Sequence, residues 1–205
     1  MRENSDTWRI KDILPRMRVY AGDITDFPRL RKIVSEIKPD HIFHLANAGL
    51  CGGISAADDE LARVNILGLV NLLRALEGIS YKSFVNFGSS SEYGYKETKM
   101  SESDACAPRN AYVFKKLAAT IFASFIVSTQ KKPIVTLRLF SPFGPYDDSR
   151  RLISSLALHF INGDNLALAD PSAVRDYIFI DDVVDLATEA MGKAHALCGE
   201  VFNVG

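Results

Sequence analysis

Apolar and polar residues follow one another along this chain in blocks that predict strands separated by helices. Short apolar runs bounded by polar residues or glycine predict six strands, at residues 18–21, 41–46, 83–87, 134–140, 177–180 and 201–204. Between them, apolar residues recur at helical intervals and predict helices near residues 27–37, 58–76, 110–129, 150–162 and 181–194. Strands that alternate with helices are typical of a parallel sheet covered on both faces, so the sequence predicts an α/β fold.

Composition and charge narrow the class of protein. The 205 residues are 47% hydrophobic and 24% charged, which is typical of one globular domain with a substantial core. The net charge of −1 gives no support for nucleic-acid binding, and no uninterrupted apolar run reaches the ~18 residues of a membrane span. The polar N-terminus lacks the apolar segment of a signal peptide, so we expect a cytoplasmic protein. The three cysteines and four histidines show no ligand spacing, so we expect no metal site.

The spacing Tyr112-x-x-x-Lys116, near the start of a predicted helix, indicates acid/base chemistry. Side chains four residues apart lie on one face of a helix, so an ammonium can sit beside a phenol. A phenol titrates near pH ~10, and a neighbouring cation lowers that pKa towards the useful range. A second pair with this spacing, Tyr95 and Lys99, lies in a polar stretch without helical period, and we interpret it as a coincidence.

The sequence contains no Gly-x-Gly-x-x-Gly or Gly-x-x-Gly-x-x-Gly, the turn that receives the pyrophosphate of a dinucleotide. Gly49, Gly52 and Gly53 follow a predicted strand, but their spacing fits neither form. We therefore interpret that loop as a wall of a site. His44, in the preceding strand, is interpreted as a packed core residue and not as a catalyst.

Seven short motifs occur in a fixed order, and their combination is more specific than any one of them. They are VYAGDITD (19–26), HLANA (44–48), VNILGLVNLL (64–73), GSSSEYG (88–94), YxxxK (112–116), RLFSPFGP (138–145) and RDYIFIDDV (175–183). Together they resemble the extended short-chain dehydrogenase/reductases, in particular the NAD-dependent epimerase/dehydratase family that acts on nucleotide sugars. The resemblance begins after that family's first strand, glycine-rich turn and second strand.

The resemblance implies a Rossmann-like, doubly wound parallel sheet that is truncated at its N-terminal side. Residues 1–145 would form a partial dinucleotide-binding domain. Residues 146–205 would form part of a substrate-binding region whose strands return to the sheet, and the two would make a single compact unit.

The same resemblance implies roles for individual residues. Tyr112 would be the acid/base at a sugar hydroxyl or carbonyl, and Lys116 would lower its pKa and hold the nicotinamide ribose. Ser90 would bond the same substrate oxygen, with Ser91 as the competing choice. Asn65 would support the lysine through a hydrogen-bond relay.

Further residues are implied for the two ligands. The cofactor, NAD or NADP, would contact Asp23, Ile24, Ala46, Ala48 and Lys116; Arg2 is a hint of NADP. A nucleotide-diphosphate sugar would contact Ser91, Glu92, Ser141, Arg150 and Arg175, with Arg151 as the alternative to Arg150. Arg175 would bind the diphosphate, a task suited to its planar fork of donors, or would pair with Asp176 or Asp181 instead.

The implied reaction is hydride transfer coupled to proton transfer, in an epimerase or a 4-ketoreductase. A dehydratase is the alternative; it ranks lower because the serine motif offers a single carboxylate, Glu92, as its base. A non-catalytic remnant or interaction domain of the same fold is the alternative from another class. The resemblance also implies a homodimer formed by the helices at 58–76 and 110–129, and no nucleic-acid or membrane partner. Without the glycine-rich turn, we expect this chain alone to bind dinucleotides weakly or not at all.

Overall fold

A four-stranded parallel sheet is the centre of the fold. The structure is a computed structural model and describes residues 1–2, 5–49, 58–168 and 172–205. The order in the sheet is β1-β2-β3-β6, and all neighbours are parallel. The strands are His41–His44 (β1), Ser83–Ser89 (β2), Ile134–Leu139 (β3) and Val201–Val204 (β6). Two shorter strands, Pro142–Phe143 (β4) and Ile178–Phe179 (β5), form a separate parallel pair.

Helices connect the strands and cover the sheet. They are Phe27–Ile37 (α1), Asp58–Ala62 (α2), Gly68–Ala75 (α3), Ala111–Gln130 (α4), Leu152–Asn162 (α5) and Ile180–Lys193 (α6). A π-helical turn at Arg63–Leu67 joins α2 to α3, so residues 58–75 form one helical run. Short 3-10 helices occur at Trp8–Ile10, Leu14–Arg16 and Ser90–Tyr93.

Helix α4 has a local feature at each end. The Asn110 side chain accepts a hydrogen bond from the backbone N–H of Val113 at 2.9 Å, which satisfies one of the free donors at the start of α4. The helix ends where Lys131 adopts a left-handed conformation, with φ at 53°. Because these caps are local, the boundaries of this helix are predictable to within a residue or two.

Alternate residues of the strands point to two separate cores. Phe84 and Ile134 pack with α1, α3 and α4 on one face of the sheet. Val85 and Val135, the next residue on each strand, pack with α6 on the other face. Both faces of the sheet are covered by helices, which confirms the predicted α/β fold with a doubly wound parallel sheet.

Helix α4 meets the length and composition required to cross a bilayer, and it is the one described helix that does so. The two faces of this helix differ. Residues such as Thr120, Ala123 and Val127 are buried against the protein, whereas Phe114 and Phe125 are exposed. A helix that covers one face of a central sheet meets the same criterion, and α4 packs against β2 and β3.

Two predicted strands differ from the structure. Residues 18–21 do not form a strand, because their backbone meets the N-terminus instead of a sheet: the Met1 amine donates to the Tyr20 carbonyl oxygen at 2.8 Å, and Gly22 N–H donates to the Met1 carbonyl oxygen at 2.9 Å. The strand expected at 177–180 is limited to β5, since Ile180 already begins α6.

Candidate active site

A cleft of about 390 Å³ opens at the carboxyl ends of β1, β2 and β3. In doubly wound sheets ligands bind in the crevice outside this edge. The described residues that line the cleft are His44, Leu45, Asn47, Phe87, Gly88, Ser89, Ser90, Ser91, Tyr112, Lys116, Leu139, Ser141, Pro142 and Arg151. The fold therefore brings the Tyr-x-x-x-Lys pair, the serine turn and Ser141 into one site.

Tyr112 lies on the first turn of α4, with its ring against the loop that follows β1. The amide nitrogen Nδ2 of Asn47 donates a hydrogen bond to the phenol oxygen at 3.5 Å. A Cβ added at Gly49 would stand 2.7 Å from the ring carbon Cε2, so a larger residue there would push the ring aside. Gly49 thus packs against the Tyr112 ring without being among the described lining residues, whereas Gly52 and Gly53 lie outside the described residues.

Lys116 lies one turn further along α4 and reaches the floor of the cleft. Its ammonium donates a hydrogen bond to the carbonyl oxygen of Phe87 at 2.5 Å. Burial lowers the pKa of Lys116, and the negative charge of Glu92 acts in the opposite direction. The lysine is therefore a partly buried cation held on the backbone of β2.

His44, at the end of β1, is both a core residue and part of the cleft. Its ring is 7% exposed and lies 6.0 Å from the ring of Phe84, which agrees with the expected packing role. Burial, and to a lesser extent the charge of Lys116, lowers the pKa of His44 to about 4. The imidazole is therefore neutral at neutral pH, and it adds no second charge beside the lysine.

The serine turn is held in shape by a reciprocal cap. The Ser89 hydroxyl accepts a hydrogen bond from the backbone N–H of Ser91 at 3.2 Å. The Glu92 carboxylate accepts one from the backbone N–H of Ser89 at 2.9 Å. Both Ser90 and Ser91 line the cleft, so the alternative between them stays open.

The expected role of Glu92 in substrate binding does not fit the structure. Its side chain is fully buried and is not among the described residues that line the cleft. Its oxygens are occupied by the backbone of Ser89, the hydroxyl of Thr120 at 3.2 Å and the guanidinium of Arg138 at 2.9 Å. The carboxylate is thus folded back as a cap on its own turn and does not line the cleft.

Asn65 has a different partner from the one expected. Its amide donates to the Ala48 carbonyl oxygen at 2.7 Å and accepts from the Ala48 N–H at 2.8 Å. Both ends of the amide are therefore used by one backbone residue, and no hydrogen bond joins it to Lys116 among the described contacts. Asn65 lies within the π-helical turn and is 2% exposed. Such turns often occur at functional sites, and here the turn directs an amide at the loop after β1.

Of the residues expected at the cofactor, Lys116 lines the cleft and the other four are not among its described lining residues. Asp23 accepts two hydrogen bonds from Thr25, and these bonds lower the pKa of its carboxyl group. Ile24 packs on Gly68, where a Cβ would stand 2.8 Å from its Cγ2 atom. Ala46 is exposed, and Ala48 is half-buried with its backbone held by the Asn65 amide.

The arginines differ from the expected set. Arg150 forms a surface ion pair with Asp148, with 2.6 Å between Nη2 and Oδ2, and does not line the cleft. Its neighbour Arg151 does, and Asp147 holds it at 2.9 Å. Arg175 is exposed and lies outside the cleft lining, where its guanidinium bonds the adjacent Val174 carbonyl.

Asn47 and Ser141 line the cleft with features that the sequence does not predict. Asn47 lies inside the HLANA motif, three residues after the end of β1, but its contact with Tyr112 depends on the folding of the loop. Ser141, which was expected, reaches the cleft with φ at 31°, an unfavourable angle for a residue other than glycine. Strain of this kind often marks functional sites, and no pattern in the sequence predicts it.

Comparisons with known proteins agree with this arrangement. The model of the NAD dependent epimerase/dehydratase family matches residues 1–205. The uncharacterized UDP-glucose epimerase YtcB of Bacillus subtilis is 32% identical over 168 residues, which cover 81% of this chain and 53% of that protein. The dTDP-glucose 4,6-dehydratase of Neisseria meningitidis is 22% identical over 204 residues, which cover 93% and 57%. The solved UDP-glucuronic acid 4-epimerase of Bacillus cereus, in complex with UDP-glucuronic acid and NAD, is 26% identical with a TM-score of 0.83; the match covers 97% of this chain and 64% of that one.

The chain therefore belongs to the NAD-dependent epimerase/dehydratase family, which confirms the resemblance of its motifs. Its Rossmann-like fold is that of structures solved with NAD or NADPH. The chain spans between about half and two thirds of the length of the relatives it matches.

Proposed function

We propose that this chain is the catalytic portion of an NAD(P)-dependent enzyme that acts on nucleotide-diphosphate sugars as an epimerase or a 4-ketoreductase. The observation that carries the proposal is the cleft in which Tyr112, Lys116 and the serine turn meet. A tyrosine hydroxyl that faces a substrate oxygen can act as a general acid or base. A serine hydroxyl beside it can hold the oxygen atom that gains or loses the proton.

In the proposed reaction the Tyr112 hydroxyl exchanges a proton with a hydroxyl or carbonyl oxygen of the sugar. Ser90 or Ser91 donates a hydrogen bond to that same oxygen, and Lys116 stabilises the phenolate. The bound cofactor supplies the hydride chemistry, while the protein orients the sugar and moves the proton. With the cofactor bound, return of the hydride to the opposite face of the same sugar carbon would give an epimer, whereas delivery of a hydride from the reduced cofactor to a keto sugar, with the proton supplied by Tyr112 and release of the oxidised cofactor, would give a reductase.

The chemistry of the lining supports a ligand that carries hydroxyl groups and negative charge. The described lining residues include four serines, Ser89, Ser90, Ser91 and Ser141, and the amide of Asn47. They also include two cations, Lys116 and Arg151, and no carboxylate. Hydroxyl and amide groups suit the hydroxyls of a sugar or ribose, and a guanidinium suits a phosphate oxygen.

The residues present fit the nicotinamide end of a dinucleotide. Lys116, which lines the cleft, would hold a ribose hydroxyl, and the small side chains of Ala46 and Ala48 would leave the loop after β1 open to a close approach. NAD and NADP both remain candidates. Arg2, the hint of NADP, is exposed and lies 3.9 Å from the carboxylate of Glu60.

The position of Glu92 supports an epimerase or reductase over a dehydratase. Elimination of water needs an acid and a base near the sugar, in addition to the tyrosine. The carboxylate of the serine turn is buried and occupied by three donors, and the described lining holds no other carboxylate.

We further propose that the protein is a homodimer and that it works in the cytoplasm. Phe114, Ile121 and Phe125 are spaced by seven and four residues, so they share one face of α4, and each is more than half exposed. A stripe of this kind suits pairing with a second copy of the same helix. The free cysteines Cys106 and Cys198 suit a reducing compartment.

The test joins this chain to the first strand, glycine-rich turn, helix and second strand of a solved NAD-binding relative. It supplies NAD or NADP with UDP- and dTDP-sugars. We expect one of the sugars to be converted to its epimer or to be reduced. NMR of the products measures this outcome. Tyr112→Phe should abolish turnover and leave cofactor affinity nearly unchanged. Tyr95→Phe, at the other Tyr-x-x-x-Lys spacing, is the matched control and should keep full activity.

The remaining outcomes separate the alternatives. Undiminished turnover in Tyr112→Phe would remove the acid/base role. A product that has lost the elements of water would assign the protein to the dehydratases. Bound cofactor without turnover of any sugar would favour a non-catalytic role for the fold.

A further inference from the structure

An ion pair is buried beneath the serine turn, outside the lining of the cleft. Glu92 is fully buried, Arg138 is 6% exposed, and Oε2 of the glutamate lies 2.9 Å from Nε of the arginine. Removal of two charges from water costs several kcal/mol for each ion, and their attraction only about offsets that cost. A gain in stability therefore does not explain why charged residues occupy this position.

The carboxylate of the pair is fixed on three sides. Oε1 of Glu92 accepts hydrogen bonds from the Ser89 N–H at 2.9 Å and from the Thr120 hydroxyl at 3.2 Å. Gly88 leaves the space that the carboxylate fills, since a Cβ there would stand 2.8 Å from Oε1. The negative charge is thus held at a defined point between β2 and α4.

The arginine is fixed with equal precision. Arg138 donates hydrogen bonds to the Tyr93 hydroxyl at 2.7 Å and to the Cys106 sulfur at 3.2 Å. The Tyr93 hydroxyl in turn donates to Asn203 of β6 at 2.8 Å. The guanidinium is thus held by hydrogen bonds to the serine turn and to Cys106, in the segment between that turn and α4.

The carboxylate lies close to the lysine of the cleft. Thr120, which holds Glu92, follows Lys116 by one turn on the same face of α4. Lys116 bonds the carbonyl of Phe87, and Gly88 beside the carboxylate is the next residue of β2. The charged or titratable groups around this ammonium are Glu92 on the serine turn, Arg138 on β3, His44 on β1, Tyr112 on its own helix, and Arg151 in the cleft lining.

We propose that Glu92, fixed by Arg138, is a positioning residue for Lys116 and serves as the buried counter-charge that keeps its ammonium ionised at the floor of the cleft. Burial alone disfavours a charged lysine there, and Glu92 is the carboxylate that offsets this effect. The effect of this counter-charge on catalysis rests on the proposed function. Its effect on the charge of Lys116 does not.

The test measures the ionisation of Lys116 by NMR of ¹³C-labelled lysine in the 205-residue chain, with Lys116→Met to assign the signal. We expect Glu92→Gln to raise the acid dissociation constant of the Lys116 ammonium by about tenfold, so that the lysine loses its proton more easily. A tenfold change is the size of a charge interaction over several ångströms at an intermediate dielectric. Arg138→Gln removes the positive member of the pair. It should lower the acid dissociation constant of Lys116, because one positive charge fewer acts on the ammonium.

Opposite shifts distinguish this role from a purely structural one, because both substitutions break the same ion pair. Thr120→Val is the matched control: it removes one hydrogen bond to Glu92 but keeps both charges, and should change the constant by less than about twofold. Shifts in the same direction, or no shift in Glu92→Gln, would overturn the proposal.

A measurement on the unaltered chain covers the case in which a variant does not fold. The carboxyl carbon of Glu92 should then show a titration step with the same midpoint as Lys116, and that step should vanish in Lys116→Met. A Glu92 signal that does not respond to Lys116 would also overturn the proposal. Neither result depends on turnover, so a failure of the proposed enzymatic activity stays separate from a failure of this inference.

Discussion

At the scale of single residues, Asn65 points inward as the sequence predicts, but its hydrogen-bond partner differs from the predicted one. An asparagine in the middle of an apolar helix is a mild liability, and for that reason the sequence predicts an inward functional position. The prediction of an inward side chain agrees with its 2% exposure. Its partner is Ala48 and not the lysine relay, because the π-helical turn aims the amide at the loop after β1.

Asn65→Ala is expected to destabilise the chain by about 1–3 kcal/mol, because it leaves the N–H and carbonyl of half-buried Ala48 without these partners. Asn71→Ala is the matched control on the same helical run. Its two bonds to the backbone of Ile24 and Thr25 are long, at 3.3 Å, so the loss should be about 1 kcal/mol or less. Urea denaturation of the three chains measures the difference, and equal losses would contradict the role given to Asn65.

His44 makes stability depend on pH. Its folded pKa of about 4 lies below the ordinary histidine value of ~6.5, so the unfolded chain binds a proton first as the pH falls. The contribution of His44 is therefore fully present above about pH 6.5 and is lost as the pH falls towards 4. Between about pH 7 and 5 we expect a loss of about 2 kcal/mol from this group.

His44→Gln tests this dependence, because glutamine is neutral throughout the range. The slope of unfolding free energy against pH should be flatter in this variant than in the unaltered chain. His195→Gln, at an exposed position, should leave the slope unchanged. An identical slope in His44→Gln would show that the imidazole is solvated or charged in the folded state.

At the scale of elements, the serine turn depends on the glycine that ends it. Gly94 has φ at 76°, in the left-handed region that favours glycine. A Cβ at this position would clash with the carbonyl oxygen of Ala107, which is backbone and does not move aside easily. The backbone conformation at the end of the turn that carries Ser90 and Ser91 is therefore one that requires glycine.

Gly94→Ala should cost about 3 kcal/mol or more, the sum of left-handed strain and of an overpacked contact. Gly78→Ala is a close control, since Gly78 has φ at 77° but open space around it. This second change should cost about 1–2 kcal/mol, from strain alone. Thermal or urea unfolding compares them, and similar losses would show that the Ala107 contact is relieved by a small shift.

The helix over residues 58–75 shows the limit of periodicity as a guide. The sequence predicts one continuous helix there, and the structure has one helical run with a π-helical turn inside it. Asn65, inside that turn, pairs with the backbone of Ala48, which lies outside the helical run. The hydrophobic pattern of a segment carries no record of such a contact.

At the scale of the whole molecule, the exposed face of α4 is the main unexplained surface. Phe114, Ile121 and Phe125 lie on the outer side of a helix whose inner side packs on the sheet. Apolar side chains grouped in this way usually mark a contact with another molecule. The proposed homodimer would bury them against the same residues of a second copy.

Phe125→Lys should shift the protein from dimer to monomer, because a charge would be buried at the centre of the proposed contact. Phe160→Lys is the matched control, since Phe160 is 81% exposed but lies on α5, away from this face. Sedimentation velocity at several concentrations measures the change. A monomer in the unaltered chain, or dissociation by both variants, would contradict the α4 interface.

The sequence by itself determined the α/β class, the parallel sheet, the ends of α1 and α4, and the grouping of Tyr112 and Lys116 on one helix face. These features follow from periodicity, from caps within a few residues, and from the geometry of a helix, all of which are local. Only the tertiary structure decided that Asn65 bonds Ala48, that Arg151 and not Arg150 enters the cleft, and that Glu92 turns inward to Arg138. Those outcomes depend on contacts between residues far apart in the chain, and the relative position of such residues is fixed only when the strands have paired and the helices have packed.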